Sequence, residues 1–168
     1  MTEPIPDGRT FRHSAREAAL QALFAMDLQH KGAEVAAERR REGDRQPEEP
    51  RELDVEALFE TVLENFEMPA AAREFARELV LRVSEHMQDL DAVITSHTRN
   101  WRVARMAAVD RNVLRLATFE LRHTETPAAV VLDEAVELAR RFGSETSASF
   151  VNGILDSVAH EARGAERA

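Results

Sequence analysis

Residues 126–143 read TPAAVVLDEAVELARRFG. Thr126-Pro127 suits a helix opening, because proline in a first turn gives up an N–H that would have no intrahelical partner anyway. At about 100° per residue, Val131, Ala135, Leu138 and Phe142 share one face, and Asp133, Glu134, Glu137, Arg140 and Arg141 share the other. Gly143 stands in the C-cap place. An amphipathic helix of this kind needs a partner for its apolar stripe, and the flanking sequence supplies one on each side. Upstream, Asp110 to His123 is nearly all apolar (Val113, Leu114, Leu116, Ala117, Phe119, Leu121), the pattern of a central helix touched on several sides. Downstream, a last helix from about Ser147 buries Val151, Ile154, Leu155 and Val158.

The same period continues towards the N-terminus. Ser14-Ala15-Arg16-Glu17 reads as a capping box, opening a helix with Leu20, Leu23, Phe24 and Leu28 that should stop near Gly32. Residues 33–52 are dense in charge and carry Pro47 and Pro50, so they are expected to form a mobile loop. Order resumes at Asp54 with Val55, Leu58, Phe59, Val62 and Phe66. Pro69 then opens a helix with Phe75, Leu79, Val83 and Met87, and the set Leu90, Val93, Ile94 leads towards Trp101 as one bent helix or two. No segment alternates with strand period. The expectation is an all-α, single-domain bundle of about six or seven helices. A flexible arm would occupy residues 1–11, the helical domain 12–162 and a tail 163–168.

Composition narrows the chemistry. There is no cysteine, which removes disulfides, thiolate nucleophiles and Cys-ligated metals together. No apolar run is long enough to span a bilayer and the N-terminal stretch lacks a signal-peptide core, so the expected compartment is the cytoplasm. Glycine-rich phosphate loops, nucleophile elbows and His-Glu-x-x-His pairs are absent, so no enzyme and no cofactor is expected. Glu120-x-x-His123 matches one half of a carboxylate-bridged di-metal site, but Asp27-x-x-His30 is a poor second half.

Charge is more telling in its distribution than in its sum of −9. Residues 9–16, RTFRHSAR, hold three Arg and one His with no acid. Residues 97–123 hold six Arg (99, 102, 105, 111, 115, 122) against Asp110 and Glu120. Arg111, Arg115 and Arg122 fall within about 40° of helix surface. A basic stripe beside a basic arm is the footprint of a phosphate backbone, or else a face of intramolecular ion pairs. Phe150 lies off the buried arc of the last helix and could offer its ring to an unstacked base, with Asn152 beside it for backbone or base edges. Gly153, interior to that helix, costs about 0.5–1 kcal/mol relative to Ala and is expected to mark close approach of another backbone.

DRNVLRLATFEL (110–121), DEAVELARRFG (133–143) and FVNGILD (150–156), with AREAALQALF (15–24) at the start, together resemble the NusB family of transcription antitermination factors. The resemblance spans residues 12–160 apart from the charged loop. It implies an all-helical protein without catalysis that binds the boxA element of ribosomal-operon leader RNA. The partners it implies are NusE, a small-subunit ribosomal protein, then other Nus factors and RNA polymerase. Some members self-associate, and a homodimer would cover part of the RNA surface. Carried over by position, Arg12 and Arg16, with Arg9 and His13 nearby, form the RNA-contacting start of the first helix. Phe24 stands where the family usually has Tyr, and Phe150 matches an aromatic at the RNA-contacting end of the last helix. The RNA set is thus Arg9, Arg12, His13, Arg16, Phe24, Arg111, Arg115, Phe150 and Asn152.

The family's run of N-terminal basic residues is reduced here to Arg12-His13-Ser14, which predicts modest affinity for RNA alone and a shallow salt slope. Thr146 and Ser149 replace an Asp and a Lys common at positions of partner contact. An acidic face of Asp133, Glu134 and Glu137, or the acidic loop, suits docking of a basic ribosomal protein. The main alternative is the related helical domain of an rRNA cytosine methyltransferase, which requires an S-adenosylmethionine domain and a catalytic cysteine. A small DNA-binding regulator would need an exposed basic recognition helix, and neither of the last two helices offers one.

Overall fold

The computed structural model describes residues 8–41, 53–99 and 101–166. Among them are seven α-helices, one 3-10 turn and no strand. The helices are α1 (Gly8–Arg41), α2 (Val55–Leu63), α3 (Ala70–Glu85), α4 (Met87–Ser96), α5 (Ala108–His123), α6 (Ala128–Phe142) and α7 (Ser147–Glu166), with the 3-10 turn at Val103–Arg105 between α4 and α5. No described helix is long and apolar enough to cross a membrane.

The centre of the bundle is α5, in which every residue from Asp110 to Glu120 is buried. Around it pack α1, α4, α6 and α7, with α2 and α3 closing the far side of α1. Four alanines of α1 (15, 18, 19 and 22) are fully buried, and their small side chains let the helix lie close against its neighbours. Leu114 and Leu116 of α5, Leu138 of α6 and Val151 and Leu155 of α7 all belong to one buried core cluster. The run from Phe75 to Ile94 resolves into two helices broken at His86, whose φ of −99° and ψ of 11° leave the helical range.

Helix α1 departs from expectation at both ends. It starts at Gly8 rather than at a Ser14 cap, because Phe11 packs against the core and draws the preceding turn into the helix. Residues 8–11 of the expected flexible arm are therefore helical, and residues 1–7 lie outside the described residues. It also runs through Gly32 to Arg41, so residues 33–41 are helical and not loop. Ala33 to Arg39 is built from strong helix formers, and one interior glycine at about 1 kcal/mol does not outweigh them. The remainder of the expected loop, 42–52, lies outside the described residues. At the other end α7 continues through Gly164 to Glu166, so most of the expected tail is helix.

Asp54 caps α2, its Oδ1 accepting from the Ala57 amide at 3.0 Å. Gly143 ends α6 for a reason other than a left-handed turn. Its backbone is extended (φ −95°, ψ −165°), but a Cβ there would overlap the Ser147 side chain and the Ala139 carbonyl oxygen. That crowding is useful, because the buried Ser147 hydroxyl accepts from the Ser144 amide at 2.9 Å and fixes the α6–α7 corner. Gly153 reverses the expectation made for it. It is exposed, with nothing within 4 Å of where a Cβ would stand.

Candidate nucleic-acid interface

A central helix buried on all sides can carry Arg111, Asn112, Arg115 and Glu120 only if each finds a partner, since an unpaired buried charge is prohibitively costly. Two clusters supply them. In the first, Asp27 of α1 is the hub. Arg111 donates to Asp27 Oδ2 from Nε at 3.0 Å and from Nη2 at 2.7 Å, and Asn112 Nδ2 donates to the same oxygen at 2.8 Å. Arg115 donates to Asp27 Oδ1 at 3.2 Å and makes a two-pronged pair with Asp91 of α4, at 2.6 and 2.7 Å. Burial alone would raise the Asp27 pKa, but hydrogen bonds from Arg111 and Asn112 and the charges of Arg111 and Arg115 outweigh it and hold the carboxyl below its ordinary value. Burial would likewise lower Arg115, and Asp91 with Asp27 reverses this. Arg111 does one thing more. Its Nη1 donates to the carbonyls of Val103 and Met106, which ties the 3-10 turn to the buried hub.

The second cluster joins the start of α1 to α5 and α6. Arg16 donates to both oxygens of Glu120, at 2.9 and 2.7 Å, with Glu134 at 3.8 Å behind it. Burial would depress the Arg16 pKa, but Glu120 and Glu134 raise it instead. His13 lies between two carboxylates, Nδ1 at 2.7 Å from Glu134 and Nε2 at 3.0 Å from Glu17, and Arg141 also pairs with Glu17.

These contacts redistribute the residues expected to bind RNA. Arg16 and Arg111 are each 3% exposed and Arg115 is 7% exposed, all three paired internally. The apparent basic stripe of α5 is thus a set of buried ion pairs, and phosphate cannot reach it without unmaking the core. Arg122, the stripe's third member, is exposed and lies 4.0 Å from Glu161. What remains accessible is Arg9 and Arg12 on the first turns of α1, Arg12 with its guanidinium 5.5 Å from the Phe75 ring centroid. Phe24 is half-buried, Asn152 is exposed, and Phe150 is half-buried against the core and edge-on to Trp101 at 6.0 Å. Twelve residues of helix separate Arg12 from Phe24, about 18 Å, so a single ligand touching both must be extended. His13, half-buried, is engaged with Glu134, which links one member of the RNA set to one of the partner set. Asp133, Glu137, Thr146 and Ser149 are exposed, with Glu137 paired to Arg140.

Glu120 and His123 do not act together, since both Glu120 oxygens face Arg16 while His123 stacks on His86 at 4.8 Å. Burial first, then the charges of His86, Arg122 and Arg82, lower the His123 pKa. Sequence reasoning passed over Trp101, which is 56% exposed. Its signal was present: a lone tryptophan interleaved with arginine in RNWR (99–102).

Fold and surface together define an all-helical module whose buried arginines hold the core, while Arg9 and Arg12 on α1 and Arg99, Arg102 and Arg105 beside Trp101 are among its exposed ones. The NusB family profile matches residues 13–160. The chain is 41% identical over 148 residues to the transcription antitermination protein NusB of Anaeromyxobacter dehalogenans, covering 88% of this chain and 89% of that protein. With the NusB of Sorangium cellulosum it shares 43% over 150 residues, covering 88% and 91%. Among solved structures, T. maritima NusB superposes with a TM-score of 0.70 at 34% identity, over 96% of this chain and 94% of that one. The antitermination factor NusB in complex with NusE and double-stranded RNA superposes at 0.69 and 26%, over 90% and 98%. The chain belongs to the NusB family.

Proposed function

We propose that the protein is a transcription antitermination factor that binds RNA together with NusE and works by assembly, without catalysis. The carrying observation is the family match across residues 13–160, joined to the likeness with a NusB held in one complex with NusE and RNA. The RNA is a boxA-type element of a ribosomal-operon leader, and the assembly extends to other Nus factors and RNA polymerase in the cytoplasm. Arg9 and Arg12 supply phosphate contacts from α1, Phe24 and Phe150 offer rings to unpaired bases, and Asn152 offers an amide to base edges. The exposed acids Asp133 and Glu137, with Thr146 and Ser149 at the α6–α7 corner, form a face suited to a basic ribosomal protein. Arg16, Arg111 and Arg115 serve by holding α1 against α5 at the angle that presents these groups.

The test is a fluorescence-anisotropy titration of a boxA-type RNA and a scrambled control, with and without NusE, at two salt concentrations. Sequence-selective binding that tightens with NusE is expected. Equal, weak binding to both RNAs, unchanged by NusE, would overturn the proposal.

A further inference from the structure

Trp101 is held out in solvent by an ordered frame. The Thr98 hydroxyl donates to the Trp101 carbonyl at 2.8 Å, and two residues beyond the ring Val103 is buried. The turn that Val103 begins is fastened to the core through Arg111. One edge of the indole meets Phe150 of α7 in a T-shaped contact with an interplanar angle of 67°. An indole left 56% exposed forgoes much of the stabilisation that its burial would bring, while the backbone that carries it is tied down on both sides.

Three arginines surround it in sequence, Arg99, Arg102 and Arg105, all exposed. Among the described residues none of their guanidinium groups is paired with a carboxylate. That contrasts with Arg16, Arg111 and Arg115, each paired to acids from distant helices. The chain has 31 acidic and 22 basic residues, yet among the described residues no carboxylate forms an ion pair with these three arginines, while Arg16, Arg111 and Arg115 each have one. Gly153 adds a third feature. It stands one turn along α7 from Phe150, about 60° round the helix, with open space where a side chain would otherwise project. No contact among the described residues accounts for it, although a mid-helix glycine costs stability.

We propose that Trp101, Phe150 and the arginines 99, 102 and 105 form a binding site for single-stranded RNA, in which an unpaired base stacks on the indole and the guanidinium groups take the adjoining phosphates. An unpaired nucleotide offers a flat ring and an anion within one repeating unit, which matches the surface; an apolar protein segment would leave three cations uncompensated, and a duplex keeps its bases stacked on one another. The site extends the RNA-binding function proposed above and rests on it, adding to Arg9 and Arg12 at the start of α1 an anchor on the segment that leads into the 3-10 turn.

Trp101 is the sole tryptophan, so its emission reports on this site alone. The full-length protein is titrated with a short dye-labelled single-stranded boxA-type RNA, following dye anisotropy and indole emission in parallel, with the same sequence as a duplex for comparison. Quenching that saturates at the anisotropy midpoint is expected with the single strand and not with the duplex. Trp101→Ala is expected to weaken single-strand binding roughly tenfold, with helix content unchanged by circular dichroism. Arg102→Gln, which keeps the indole, is expected to lower the slope of log affinity against log salt by about one unit. Anisotropy binding with unchanged emission and with both variants at wild-type affinity would overturn the site while leaving the RNA-binding function intact. Absence of any anisotropy change would remove both. An emission change on adding NusE alone, with none on adding RNA, would make this a protein-docking face and overturn the proposal.

Discussion

Asp27→Asn strikes the point where three helices are tied together by charge. The carboxylate accepts four hydrogen bonds, from Arg111 twice and from Asn112 and Arg115 once each. The amide retains one acceptor oxygen and turns an N–H pair towards two guanidinium groups. Arg115 keeps its pair with Asp91, but Arg111, 3% exposed, loses its charged partner and keeps only neutral acceptors, among them the Val103 and Met106 carbonyls. Removing one partner of a buried ion pair costs about 3–5 kcal/mol. The Asp27 side chain is itself 15% exposed, so water relieves part of this and the lower end, about 3 kcal/mol, is expected. Against a domain stability of about 5–15 kcal/mol that is a large fraction. Urea unfolding followed by circular dichroism should show a midpoint lowered by about 1–2 M. Glu56→Gln is the control, because Glu56 pairs with Arg77 in solvent and exposed pairs contribute little. A shift for Asp27→Asn as small as that of the control would refute the claim that Asp27 organises the core. It would also show that Arg111 and Arg115 are freer than the geometry indicates.

Three further outcomes are expected. Gly143→Ala should destabilise by about 1–3 kcal/mol, since its Cβ overlaps Ser147 and the Ala139 carbonyl, while Gly153→Ala, with open space around it, should stabilise slightly; thermal melts of both distinguish them. The double variant Arg9→Gln, Arg12→Gln should lower the salt slope of RNA affinity by about two units with unchanged thermal stability, because neither guanidinium is paired to an acid among the described residues. The Asp27 pKa is lower in the folded than in the unfolded state, so its stabilisation is complete above about pH 3.9 and is lost as pH falls through the lowered folded value. His123, also lowered on folding, binds its proton more readily when unfolded and so costs stability as pH falls through about 6.5. The difference between wild type and Asp27→Asn should therefore be constant from pH 7 to pH 5 and shrink in stronger acid, and His123→Gln should flatten the profile between pH 7 and pH 5, both read from urea midpoints.

Much of the fold is legible in one dimension because apolar residues at helical spacing report burial directly. Val131, Ala135 and Leu138 were placed on the inner face of α6 by period alone, and all are buried. The start of α2 was legible as the point near Asp54 where the apolar period resumes, and the Asp54 cap itself is a finding of the structure. Helix α1 was less legible, since residues 33–39 have no apolar face and are helical through the propensity of Ala, Glu and Arg, a signal that also fits a charged loop. The binding surface was legible in composition but not in placement. Arg111 and Arg115 resembled a phosphate stripe because their partners are remote in sequence, Asp27 by 84 and 88 residues and Asp91 by 24. Arg16 and Glu120 are 104 apart. Helical period gives the direction of a side chain on its own helix, and it carries no information about which distant acid meets it there. Trp101 was hidden for the opposite reason. An isolated aromatic near the end of an apolar run is read as core until a structure shows it outside.

Transcription through a terminator placed downstream of a boxA leader, with purified RNA polymerase, NusE and the other Nus factors, tests the proposed function at its endpoint. Adding the protein should raise read-through on the boxA template, and the Arg9→Gln, Arg12→Gln variant should raise it less. Read-through unaffected by the protein, or raised equally on a template whose boxA is scrambled, would contradict an antitermination role that depends on RNA recognition.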